Sequence, residues 1–173
     1  AMHWPYRQME TGRGLRRSPL HEALKAEGAV YGQVAGWERP NWFAFESQRP
    51  EYEYAWGRQN WHENHRQEHM AVREACGLFD MASYGKLLVQ GRDAEKLLSR
   101  LCSNNVAVPP GRIVYTQMLN PRGGIEADLT VMRLDADRFW VITPCASTRR
   151  DLAWIEDHIA DGEHVFATDI TSG

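Results

Sequence analysis

The chain is 173 residues long, with 43% apolar and 25% charged residues. That composition describes a globular protein and excludes a disordered or collagenous one. With a net charge of −3 and no apolar run of about 18 residues, neither a nucleic-acid partner nor a transmembrane helix is expected.

The first residues, Ala1-Met2-His3-Trp4-Pro5, carry no apolar signal region. Two regions then differ in texture. Residues 1–66 hold five of the seven tryptophans, and their charges nearly cancel, with 9 basic against 8 acidic side chains. Residues 67–173 are regular and more acidic, so a boundary is expected near 62–68, dividing 1–66 from 67–173. In the first region Ser18, Pro19 and Glu22 read as the start of a helix. Leu20, Ala23 and Leu24 give it an apolar stripe and Gly28 stops it. Val30–Val34 is a candidate short strand. Residues 36–66 form an aromatic, polar stretch without period. Its rings fit either this region's own core or a face turned toward another domain.

The second region opens with a helix over about 67–76, ended by Gly77. Leu78–Met81 and Lys86–Val89 read as short strands. Asp93 caps a helix whose Ala94, Leu97, Leu98 and Leu101 share one face. Ile113–Leu119 and Ile125–Arg133 are strands joined by the turn cluster Asn120-Pro121-Arg122-Gly123-Gly124, which makes a hairpin. Phe139–Thr143 is a third strand. Thr148–Ile159 is an amphipathic helix with Leu152, Ile155 and Ile159 inward, and His164–Ile170 is a last strand. The order βαβββαβ predicts an α+β fold, an antiparallel sheet with helices on one face. The chain stops directly after that strand, which reads as a cut through a larger protein.

Several chemistries lack support. No GxGxxG, GxxxxGK[ST], GxSxG or HExxH motif is present. Cys76, Cys102 and Cys145 are widely spaced and read as reduced thiols in a cytosol-like compartment. The seven histidines have no ligand spacing, so no metal site is expected.

The strand 125–133 alternates. Ile125, Ala127, Leu129 and Val131 point one way; Glu126, Asp128, Thr130 and Met132 point the other. The polar face fits ordinary solvation. On periodicity alone that is the favoured reading; the other is a roofed site in which Asp128 and Thr130, about 7 Å apart along the strand, hold the edge of a flat heterocycle. A carboxylate there can accept a proton from a ring or amine nitrogen.

Four runs together resemble the glycine-cleavage T-protein (aminomethyltransferase) family. They are Gly77-Leu78-Phe79-Asp80-Met81-Ala82-Ser83-Tyr84-Gly85-Lys86, Gly91-Arg92-Asp93-Ala94, Tyr115-Thr116-Gln117-Met118-Leu119-Asn120 and Gly123-Gly124-Ile125-Glu126-Ala127-Asp128-Leu129-Thr130-Val131. The N-terminal part, through Gly14-Leu15-Arg16-Arg17-Ser18-Pro19-Leu20 and Gly36-Trp37-Glu38-Arg39-Pro40-Asn41-Trp42-Phe43, is similar to the segment preceding that fold in dimethylglycine and sarcosine dehydrogenases or oxidases. The resemblance implies a linker domain over 1–66 and the start of a tetrahydrofolate-binding domain over 67–173. The parent would use FAD, held in a separate domain of the same chain, to oxidise an N-methylglycine such as dimethylglycine or sarcosine. The one-carbon unit would pass to tetrahydrofolate.

Carried over residue by residue, Asp128 matches the family's acid at the folate amine. Tyr115 matches a pterin-contacting tyrosine, Thr130 a hydroxyl beside the acid, and Tyr84 a ring-packing position. Two places depart from the T-protein pattern: Ser83-Tyr84 replaces its usual His-Met, and Pro144-Cys145-Ala146-Ser147 replaces a polar turn, so that folate contact is not carried over. The implied compartment is the cytoplasm, or the mitochondrial matrix in a eukaryote. Two other readings remain: a stand-alone aminomethyltransferase and a non-catalytic folate-binding or regulatory module.

Overall fold

A computed structural model describes residues 10–172. The reading of the first five residues, and Trp4 with them, lies outside the described residues. Packing divides the chain into a first unit up to Ser83 and a second from Tyr84.

In the first unit, α1 (His21–Ala26) leads into an antiparallel hairpin of β1 (Ala29–Val34) and β2 (Trp37–Phe43), followed by α2 (His62–Glu74). The hairpin turns on Ala35 and Gly36, both at positive φ, the geometry that matches the twist of paired strands. The aromatic stretch therefore contributes a strand that its lack of period concealed. Trp42 is 1% exposed and stacks at 6.2 Å on Trp61, while Tyr52 meets both rings edge-on. These rings are the unit's own core, although Trp56 is fully exposed.

Four details differ from expectation. Ser18 does not cap α1, whose first turn follows Leu20. Its hydroxyl accepts from the Leu20 N–H and donates to Asp80. The helix is rotated so that His21 is buried against the Tyr31 ring at 4.2 Å, leaving Leu20 and Ala23 exposed. Helix α2 begins at His62 rather than 67, because Trp61 anchors its first turn and the Asn64 amide donates to the Phe43 carbonyl. Leu78–Met81 forms no strand: it finds no pairing partner, and Asp80 instead accepts from the Ala82 N–H in a local turn. The run Gly14–Leu20 is held on the hairpin by Arg13, which forks the Glu38 carboxylate at 2.7 and 2.6 Å while the Gly14 N–H adds a third bond. Arg13 holds the Glu38 carboxyl below the usual carboxylate range.

The second unit contains β3 (Gly85–Gln90), α3 (Ala94–Leu101), β4 (Ile113–Leu119), β5 (Ile125–Arg133), β6 (Arg138–Thr143), α4 (Thr148–Asp157) and β7 (Phe166–Asp169). The five strands form one antiparallel sheet in the order β4-β5-β6-β3-β7. This is the expected α+β architecture. The inner face packs Leu87, Val89, Leu129, Val131, Phe139 and Val141 against Leu97, Leu98 and Leu101 of α3 and Ile155 of α4. Each such side chain contributes about 1.5–3 kcal/mol when fully buried. Asp93 stands at the start of α3, but its carboxylate accepts from the His164 N–H and not from the helix. Helix α4 buries Asp151 as well as Ile155; Thr143 and Ser147 hydroxyls both donate to that carboxylate. Among the described residues no helix is long and apolar enough to cross a membrane.

Gly85 opens β3 where a Cβ would collide with the Thr148 hydroxyl and lie 2.9 Å from the Thr143 methyl. Gly85→Ala is expected to destabilise the protein by about 1–3 kcal/mol, read from the urea midpoint. Glu163 accepts both forks of Arg100 at 2.9 Å, with Lys96 at 3.2 Å, and its carboxyl is held at about 2. A depressed native pKa contributes stability above the ordinary value and loses it as protonation proceeds. The contribution is therefore lost as pH falls from about 4.5 toward 2. Glu163→Gln should show a shallower acid limb across that window in unfolding experiments.

Candidate functional site

The sheet's inner face is covered by α3 and α4, so the outer face decides which side chains are available for chemistry. On β5 the alternation buries Ala127, Leu129 and Val131 and turns Asp128 and Thr130 outward. On β4 it buries Thr116 and Met118 and turns Tyr115 and Gln117 outward. The register sets Tyr115 opposite Thr130 and Gln117 opposite Asp128. Side chains directly opposite in an antiparallel pair share a face. The Tyr115 hydroxyl crosses diagonally and donates to Oδ2 of Asp128 at 2.8 Å. That bond is the main reason the Tyr115 phenol is raised above the ordinary tyrosine range.

Asp128, Tyr115 and Thr130 are thus brought together on two adjacent strands. Asp128 is exposed and lies neither in the apolar core nor in an ion pair among the described residues. Tyr115 is 62% exposed, so it is not a core ring. Tyr84 stands apart. It directly precedes β3, which pairs with β6 and not with β5, placing it about 10 Å from the Asp128 strand. Its alternation matches that of Lys86, whose register row runs through Ile142 to Thr130 and Tyr115. The Lys86 ammonium donates to the Tyr84 carbonyl at 2.7 Å.

Two residues of this face lie within the quoted runs without being singled out there as site residues. Gln117 is one, Lys86 the other. Alternation from Tyr115 on β4, and the pairing of β3 with β6, are the signals that locate them. The same face exposes Ile113 and Trp140, which both stand opposite Met132, giving the polar groups an apolar border on that side. Such a mixture suits a flat, partly apolar ligand with a hydrogen-bonding edge. The exposed carboxylate can take a proton or bond from an amine, and the Thr130 hydroxyl can both donate and accept. These groups fit a reduced pteridine. At the same end, Arg150 donates to the Glu126 carbonyl at 2.6 Å, tying α4 to the start of β5.

In the first unit, a groove of about 360 Å³ is lined by Leu24, Phe43, Val72 and Phe79 among others. None of the nominated residues belongs to it. His65 and His69 are engaged with main-chain carbonyls, and among the described residues no group of three or more His, Cys, Asp or Glu side chains could hold a metal ion.

Comparison with known proteins matches residues 20–173 to the GCVT N-terminal domain. The chain is similar to 4-methylaminobutanoate oxidase (formaldehyde-forming) of Paenarthrobacter nicotinovorans, at 42% identity over 172 residues, covering 99% of this chain and 21% of that protein. It is also similar to the mitochondrial sarcosine dehydrogenase of Homo sapiens, at 39% identity over 155 residues, covering 76% of this chain and 17% of that protein. The chain therefore spans about a fifth of the length of these relatives. Among solved structures, glycine cleavage system aminomethyltransferase T from Bartonella henselae matches with a TM-score of 0.71 and 26% identity, over 91% of this chain and 39% of that one.

The thiols provide a separate check on which groups are reactive. Burial pushes the Cys102 thiol up to about 12, whereas Cys76 is exposed. A disulfide reagent at neutral pH is expected to modify Cys76 in the native protein and to leave Cys102 unmodified until denaturant is added, as read by mass spectrometry.

Proposed function

The chain belongs to the GCVT N-terminal domain family, and from that premise we propose that residues 67–173 form part of a tetrahydrofolate site. Residues 1–66 are then the linker end of an FAD-dependent enzyme that oxidatively demethylates an N-methyl amino acid, sarcosine and dimethylglycine being the candidate substrates. The observation that carries the reading is the exposed Asp128 carboxylate, held by Tyr115, beside Thr130, on a sheet face with an apolar border.

Tetrahydrofolate, when bound, supplies the amine that takes up a one-carbon unit. In this chain Asp128 orients that amine and accepts its proton, since an amine is nucleophilic only when its lone pair is free. Thr130 offers a hydroxyl to the ligand's polar edge, and Tyr115 and Tyr84 offer ring surface. FAD belongs to the separate domain of the longer protein. The compartment that fits is the cytoplasm or the mitochondrial matrix.

A stand-alone aminomethyltransferase is the second reading, favoured by the structural likeness to one. Similarity to the oxidase extends ahead of residue 20, through Arg13 and the rest of the segment that the family match leaves out, and this favours the flavoprotein.

Isolated, the chain should bind tetrahydrofolate weakly, with a Kd on the order of 100 µM or above, and turn nothing over. Asp128→Ala should weaken binding by about tenfold in calorimetric titration. Micromolar affinity that survives this substitution would overturn the site.

A further inference from the structure

One side-chain pair on the outer sheet face carries more than its place in a folate site. Tyr115 is largely exposed, so its ring contributes little packing that a phenylalanine would not. What distinguishes it is the hydroxyl, which donates to Oδ2 of Asp128 at 2.8 Å. A phenol has one proton to give. Committed to Oδ2, that proton occupies one of that oxygen's two acceptor sites and leaves Oδ1 as the less encumbered oxygen. It also limits rotation of a carboxylate that would otherwise turn freely on an exposed strand.

Gln117 stands opposite Asp128 in the register, and its side chain interacts with the same phenol. Ser103 holds Gln117 in place: its main-chain N–H donates to the Gln117 main-chain carbonyl at 2.8 Å and its hydroxyl to the Gln117 side-chain oxygen at 3.5 Å.

Resting on the folate reading above, we propose that Tyr115 is a positioning residue that acts through Asp128, selecting which carboxylate oxygen meets the ligand amine. Its contribution to binding is then conditional on the carboxylate. A tyrosine that merely stacked on the ligand would contribute equally with or without it.

A double-mutant cycle on the 173-residue chain separates the two roles. Tetrahydrofolate affinity is measured for the wild type, Tyr115→Phe, Asp128→Ala and the double variant. Tyr115→Phe should weaken binding about threefold to tenfold in the wild-type background. In the Asp128→Ala background the same change should cost less than about 1.5-fold. Equal losses in both backgrounds overturn the proposal.

A second readout needs no ligand. The Tyr115 phenol is titrated by NMR with ring-labelled tyrosine, in wild type and in Asp128→Asn. Its midpoint should fall toward the ordinary tyrosine value in the variant, because the acceptor that holds its proton is weakened. An unchanged midpoint overturns the positioning role. Should the wild type bind no tetrahydrofolate, the folate reading fails on its own, and the phenol titration still decides whether Tyr115 is coupled to Asp128.

Discussion

A sheet backed by helices on one side can bury only that side, and in the second unit this constraint places every candidate functional group. The apolar alternation of β5 drives Ala127, Leu129 and Val131 into contact with α3 and α4. Asp128 and Thr130 face outward as a consequence. A slip of one residue would exchange the two sets and bury the carboxylate without a partner, which is expensive. The register that presents the acid is therefore enforced by core packing and not by any bond the acid makes. The hairpin turn reinforces it. The Asn120 side chain accepts from the N–H groups of Arg122 and Gly124 and donates to Glu126, and the irregularity between Met118 and Leu119 takes up the offset.

The first unit is organised differently. Its core is a set of rings around Trp42, and its ordering device is an ion pair. Glu38 is 6% exposed and would be costly to bury alone. The forked Arg13 and the Gly14 N–H satisfy it, and in doing so they fasten the segment before α1 to β2, where the Glu38 N–H also donates to the Arg16 carbonyl. The run ahead of α1 is thus an integral part of the packing.

Much of the second unit was legible in advance because its elements are strongly periodic. The strands of the central hairpin, the α3 face with Leu97 and Leu98, and the inward Ile155 all follow from spacing alone. The first unit was less legible. Aromatic side chains pack through shape rather than period, so β2 leaves no periodic signal and α2 begins five residues ahead of the start that its spacing predicts. Leu78–Met81 has the composition of a strand, but strand formation needs a partner edge, and among the described residues this run pairs with none. Asp151 illustrates the same gap for polar groups. A carboxylate on an amphipathic helix reads as solvated until Thr143 and Ser147 are found donating to it.

For the candidate site the division is similar. Residues 125–133 by themselves determine that Asp128 and Thr130 share a face, because β geometry turns successive side chains to opposite sides. The motifs around them carry the resemblance to the family to which the chain belongs. Only the tertiary structure decided which neighbours complete the face. Pairing brings Tyr115 and Gln117 from 11–13 positions away into reach of the acid, and sets Tyr84 two strands distant. Those neighbours depend on strand order and register, which are settled by how apolar faces fit together across the whole unit and leave no mark in any local stretch of sequence.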